Sequence, residues 1–299
     1  MLLLFITGEP PMNDNPLVKS YTDPKTYVKL PSGGAYYSEK PEMSIDGEVG
    51  ILPMTAVDEM LFQSPDNLLN GESLFKVLAR CVPGIKNTRE IPNPDLDAIL
   101  VGLRIATYGN EMDVDALCPK CEEKNTYNIN LPTLLANATE LESEYKLELN
   151  NDINIKIRPF TVESTISIAL YAVELSAMQR QIQMSSNEID EESAIAAIRT
   201  TMEKSSKRLV ELISASVLEV TILQPTEEEP DAVIKVTDTA HIKEWVEVLT
   251  VGEYKKIRSK VEEVSALGLA RTLSASCTSC EHTWDVQIGV DPASFFDMK

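Results

Sequence analysis

Two cysteine pairs, Cys118-Pro119-Lys120-Cys121 and Cys277-Thr278-Ser279-Cys280, constrain this chain more than any other feature. In each pair a tight turn can present both thiolates to one ion, and two such turns supply the four sulfurs that a tetrahedral structural zinc takes. The segments that follow the pairs also match. Thr126-Tyr127-Asn128-Ile129-Asn130-Leu131 and Thr283-Trp284-Asp285-Val286-Gln287-Ile288 both alternate apolar and polar residues, as half-buried strands do. On this reading Cys118, Cys121, Cys277 and Cys280 form one Zn2+ site of zinc-ribbon type, and residues 122–276 are a long loop whose ends the ion clips together. Unrelated turn cysteines or a disulfide are the alternatives.

The chain has 299 residues, 43% hydrophobic and 25% charged, enough for two modest domains or one domain with a large insertion. With 47 acidic against 27 basic residues its formal charge is -20, which repels nucleic-acid phosphates and anionic membranes and leaves proteins as the expected partners. Five cysteines, four of them in the two pairs, are too few for a disulfide scaffold of this length, so a reducing compartment is expected. Cys81 lies in a helical apolar stretch, where it serves as a small buried residue. The run Met1 to Ile6 lacks a basic leader and is broken by Gly8-Glu9-Pro10-Pro11, too short for a signal peptide or a membrane span. Residues 1–11 are expected to be an upstream extension of the reading frame or a small partner-binding tail.

Periodicity predicts an α+β fold: an N-terminal helical layer, and a zinc-ribbon-like β element split by a long insertion of helices and β-hairpins. Residues 1–52, rich in Pro, Gly and Tyr, are expected to form an extended arm or a β-rich edge, with a strand at the end leading into a helix capped by Thr55. A helical domain spans 53–117, with further helices over 71–82 and 95–108. The two halves of the ribbon are 118–135 and 268–299, and 136–267 is the insertion. Inside it are expected a hairpin of Tyr145, Leu147 and Leu149 against Ile153, Ile155 and Ile157, a helix from Thr161 to about Met184, and a linker over 185–192. A second long helix then runs to about Val217, followed by a hairpin around the acidic turn Thr226 to Pro230 and two helices joined at Gly252.

No glycine-rich phosphate loop or nucleophile elbow occurs, and the two histidines, His241 and His282, are placed at the surface. The acidic runs lack the alternating ligands and glycine of a calcium loop and read as solvated turns. Cys118-Pro119-Lys120-Cys121 is not set at the start of a helix after a buried strand, as dithiol redox chemistry requires. No catalytic residue is assigned, and the chain reads as non-enzymatic.

Four stretches stand in order: Leu30-Pro31-Ser32-Gly33-Gly34-Ala35-Tyr36-Tyr37, Ile51-Leu52-Pro53-Met54-Thr55-Ala56-Val57-Asp58-Glu59, Arg104-Ile105-Ala106-Thr107-Tyr108-Gly109 and Cys118-Pro119-Lys120-Cys121. Together they resemble the T4-type phage baseplate family, which includes hub or hub-assembly proteins of contractile-tailed phages. The resemblance covers about residues 15–180 and implies a non-enzymatic tail protein, assembled in the host cytoplasm and located in the virion baseplate. Its implied partners are other tail proteins: hub, wedge or tape measure. A transient assembly chaperone absent from the virion is one alternative. A zinc-ribbon adaptor of another pathway is the other.

Overall fold

The computed structural model describes residues 23–62, 71–184, 191–224, 232–290 and 295–296. Among them are eight α-helices and several small antiparallel sheets, an α+β fold with two hydrophobic cores.

The first core begins where an arm is expected. Strand β1 (Thr26–Lys29) pairs antiparallel with β2 (Glu48–Ile51), with Val28 opposite Val49. Val28, Leu30, Val49 and Ile51 are all at most 2% exposed. Burying an aliphatic side chain contributes about 1.5–3 kcal/mol, so from residue 23 onward this stretch is held on its own domain and is not an arm reaching outward. The expectation for residues 1–22 lies outside the described residues. Pro and Gly do shape the connection between the strands, through turns at Pro31 to Tyr36, but the alternating Val28 and Leu30 decide its burial.

Three helices cover this sheet: α1 (Ala56–Phe62), α2 (Glu72–Cys81) and α3 (Asn93–Tyr108). Thr55 caps α1 as its sequence predicts: its hydroxyl accepts from the Asp58 N–H, and Asp58 accepts in return from the Thr55 N–H at 2.7 Å. Asp58 is buried and also ion-paired with Arg80 on α2, so it bridges two helices as well as facing a helix dipole. Helix α3 is the centre of the core, with Ala98 to Val101 and Leu103 all buried. It comes so close to β1 that a Cβ at Gly102 would lie 2.3 Å from Val28 Cγ2.

Next come β3 (Glu111–Leu117), β4 (Lys124–Asn130) and the short α4 (Leu131–Ala136), capped by the Asn130 side chain accepting from the Thr133 N–H at 3.0 Å. The second core follows. Strands β5 (Tyr145–Asn150), β6 (Ile153–Ile157), β7 (Val217–Leu223) and β8 (Val233–Val236) form one sheet in that order. The β6–β7 pairing, Ile155 opposite Val220, joins two predicted hairpins across the helices α5 (Val162–Met184) and α6 (Glu191–Ser216). Of the expected linker 185–192, residues 185–190 lie outside the described residues and 191–192 already belong to α6; the acidic turn at 226–230 also lies outside them.

Two more helices, α7 (Thr239–Glu247) and α8 (Val251–Ser265), cover the sheet with Ile242, Val246, Ile257, Val261 and Val264. Their junction differs from expectation. Gly252 lies inside the first turn of α8, because Thr250 makes a full capping box with Glu253 and sets the helix start two residues earlier than the glycine suggests. The chain then returns to the first core in β9 (Thr272–Ser276) and β10 (Thr283–Gln287). There the Arg271 guanidinium pairs with buried Asp97 of α3, Arg104 donates to the Phe295 carbonyl, and Phe296 stacks on Phe62 at 5.3 Å between centroids.

Candidate metal centre

Each cysteine pair occupies the turn of a two-stranded hairpin, the first between β3 and β4 and the second between β9 and β10. The spacing predicts a strand after each pair, and a second strand precedes each pair. The strand before it was also legible, since Met112, Val114 and Ala116 alternate in β3, as Leu273 and Ala275 do in β9.

The two turns are near copies at the level of the backbone. In the first, the Cys118 N–H donates to the Glu123 carbonyl at 2.9 Å and the Glu122 N–H to the Cys118 carbonyl at 2.9 Å. In the second, the Cys277 N–H donates to the His282 carbonyl at 2.9 Å and the Glu281 N–H to the Cys277 carbonyl at 3.0 Å. Each turn closes through one left-handed residue, Glu122 at φ 59° and Glu281 at φ 55°. A backbone held this way aims both thiols of a pair to one side.

The two turns face each other. Cys118 Sγ is 3.7 Å from Cys280 Sγ, Cys121 Sγ is 3.6 Å from Cys277 Sγ, and all four sulfurs lie within 4.8 Å of one another. A tetrahedral ion with metal–sulfur bonds of about 2.3 Å sets its sulfurs about 3.8 Å apart, so the spacing suits a single ion. A disulfide would need sulfurs about 2.05 Å apart, and all four cysteines are free thiols. Cys118 and Cys277 are buried, Cys280 is half-buried and Cys121 is exposed, so an ion here would sit at the rim of the first core.

Residues around the sulfurs bind the hairpins to each other. Asn125 of β4 is 4% exposed. Its Oδ1 accepts from the Thr278 N–H at 3.0 Å and from the Thr278 hydroxyl at 2.9 Å, while its Nδ2 lies 3.7 Å from Cys277 Sγ. The first hairpin thus orients the second turn and offers an amide donor to a sulfur of the other pair. Tyr127 of β4 and Trp284 of β10 meet edge to face at 6.2 Å, and the Tyr127 hydroxyl donates to the Ser276 carbonyl at 3.0 Å. Sequence spacing marks the cysteines but carries no sign of Asn125, whose role appears only once the hairpins are paired. His282 is half-buried and stacked on Trp284 rather than at the open surface, and His241 is exposed beside Asp238. Burial pushes the Cys81 thiol up to about 12, as befits an inert core residue.

Fold and site define an α+β protein in which two hairpin turns, far apart in sequence, converge into a four-cysteine cluster that could hold a metal ion. The family described as T4 bacteriophage base plate protein matches residues 24–297, and the chain belongs to that family; it is a phage baseplate protein. No curated protein and no solved structure matches the chain. No helix among the described residues is long and apolar enough to cross a membrane.

Proposed function

We propose that the protein is a non-enzymatic component of the baseplate hub or of its assembly, and that Cys118, Cys121, Cys277 and Cys280 hold one structural zinc. The observation that carries this reading is the convergence of four sulfurs in a member of the base plate family. Four thiolates suit zinc and fill every position of a tetrahedral ion, leaving none for a substrate, as in structural rather than catalytic sites. The ion would join the two ribbon halves, 118–135 and 268–299, around the insertion 136–267, and so present the helical domain 53–117 and the insertion as one body to hub, wedge or tape-measure proteins. The site of action is the virion tail, reached by assembly in the host cytoplasm.

A transient assembly factor is the second reading, favoured by the helical pair α5 and α6 inserted between β6 and β7 together with the charge of -20, a combination suited to holding a partner for a time. Mass spectrometry of purified tails tests both. The protein in finished tails at fixed stoichiometry supports the hub component; its presence in assembly intermediates but absence from tails supports the assembly factor. Absence from both refutes the function.

A further inference from the structure

Helices α5 and α6 line an open groove of about 820 Å³, away from the cysteines. Lys204, Lys207 and Arg208 of α6, at positions i, i+3 and i+4, present their charges along one wall. In a chain with a large surplus of carboxylates, cations usually find one nearby: Lys29 pairs with Glu140, Lys86 with Glu42 and Lys124 with Asp115. Among the described residues Lys204, Lys207 and Arg208 form no ion pair. Two carboxylates of the groove are engaged elsewhere, Glu163 with Arg89 at 3.3 Å and Glu211 with Lys243 at 2.7 Å. Glu174 is left to face three cations. Half-buried Tyr171 gives the same groove an aromatic surface, with Leu212 largely buried among the lining residues.

We propose that this groove docks an acidic segment of a neighbouring polypeptide, with carboxylates meeting Lys204, Lys207 and Arg208 and aliphatic carbons meeting Tyr171. Charge complementarity selects the occupant. The groove volume lies in the range that holds short ligands. Both anions meet the field of the whole chain at -20, but an acidic polypeptide segment can set flexible carboxylates against the local patch and aliphatic carbons against Tyr171, whereas a nucleic acid carries its charge on a sugar-phosphate backbone. The inference rests on the reading of the protein as one that works through protein contacts. Tail composition tests that reading, and a peptide assay tests this one.

The experiment is fluorescence anisotropy of a labelled octaglutamate peptide with the full chain at low ionic strength. The wild type is expected to bind, and more weakly as salt rises. Lys204→Glu, Lys207→Glu and Arg208→Glu together are expected to weaken binding at least about tenfold, the order expected from losing three accessible charge contacts. The neutral set Lys204→Gln, Lys207→Gln and Arg208→Gln, which keeps size and helix propensity, is expected to weaken it similarly. Reversing three dispersed exposed lysines, Lys40, Lys76 and Lys255, carries the same change in net charge and is expected to alter binding less than about twofold. No binding by the wild type, equal loss in the dispersed variant, or tighter binding of an octathymidylate than of the peptide would each overturn the proposal.

Discussion

Cys277→Ser is expected to loosen the protein far beyond its C-terminal hairpin. Cys277 is 2% exposed, lies 3.6 Å from Cys121 Sγ, and belongs to the turn that Asn125 holds through Thr278. A cross-link that closes a loop longer than a hundred residues contributes roughly 4–5 kcal/mol. Residues 122–276 form such a loop. Part of that closure survives without the ion, because Arg271 stays paired with Asp97, Arg104 with the Phe295 carbonyl, and Phe296 stacked on Phe62. The expected loss is therefore about 3 kcal/mol, or a fall of roughly 5 °C in midpoint for a chain of this size. Thermal unfolding in zinc-containing buffer, followed by Trp284 fluorescence in a Trp245→Phe background that leaves it the sole indole, reads the loss directly, since this indole lies against Tyr127 and His282 at the site. Limited proteolysis supplies the spatial part: faster cutting is expected within 185–192, far in sequence from the substitution. An unchanged midpoint together with a wild-type cutting pattern would refute the idea that the cysteines close this segment.

Asn125→Ala removes the acceptor for Thr278 and the amide near Cys277, and is expected to lower metal affinity about 10- to 100-fold while the secondary structure stays intact; competition with a chromophoric chelator measures it. Gly102→Ala is expected to destabilise by about 1–2 kcal/mol in urea unfolding, because crowding against Val28 outweighs the roughly 1 kcal/mol gained in helix propensity. Burial pushes the Asp95 carboxyl up to about 6 against the pull of hydrogen bonds from Ser32 and Tyr37, so the folded state holds this proton more tightly than the unfolded state, whose carboxyl titrates near 3.8. The contribution of Asp95 is most favourable below pH 3.8 and is lost as pH rises to 6. Asp95→Asn is expected to gain on the wild type by on the order of 3 kcal/mol between those limits, measured as the difference in urea stability at each pH, and a difference independent of pH would contradict the assignment.

Much of this fold was legible because its local signals agree with its tertiary structure. Thr55 and Asp58 announce the start of α1, and Tyr145 to Ile157 announce a hairpin whose inward residues do form the second core. The cysteine spacing marked out the four residues that come together. What stayed hidden depends on pairings between distant segments. Nothing local in Ile155 and Val220 tells that two hairpins share one sheet across α5 and α6, and nothing in Asn125 tells that it reaches Thr278. In the stretch from residue 23 to 52 the β-rich alternative agrees with the β1–β2 sheet, while its burial stayed hidden for a related reason. Its Pro and Gly content describes the turns correctly, whereas its burial is set by α3, whose Gly102 lets β1 pack close.

The central claim is that one zinc sits among four thiolates, and elemental analysis joined to X-ray absorption at the zinc edge tests it most directly. For protein purified from a reducing cytoplasm without added metal, one zinc per chain is expected, with four sulfur neighbours at about 2.3 Å, and loss of that signal in Cys118→Ser. A stoichiometry near zero after purification in zinc-containing buffer, or a first shell of nitrogen and oxygen, would contradict it.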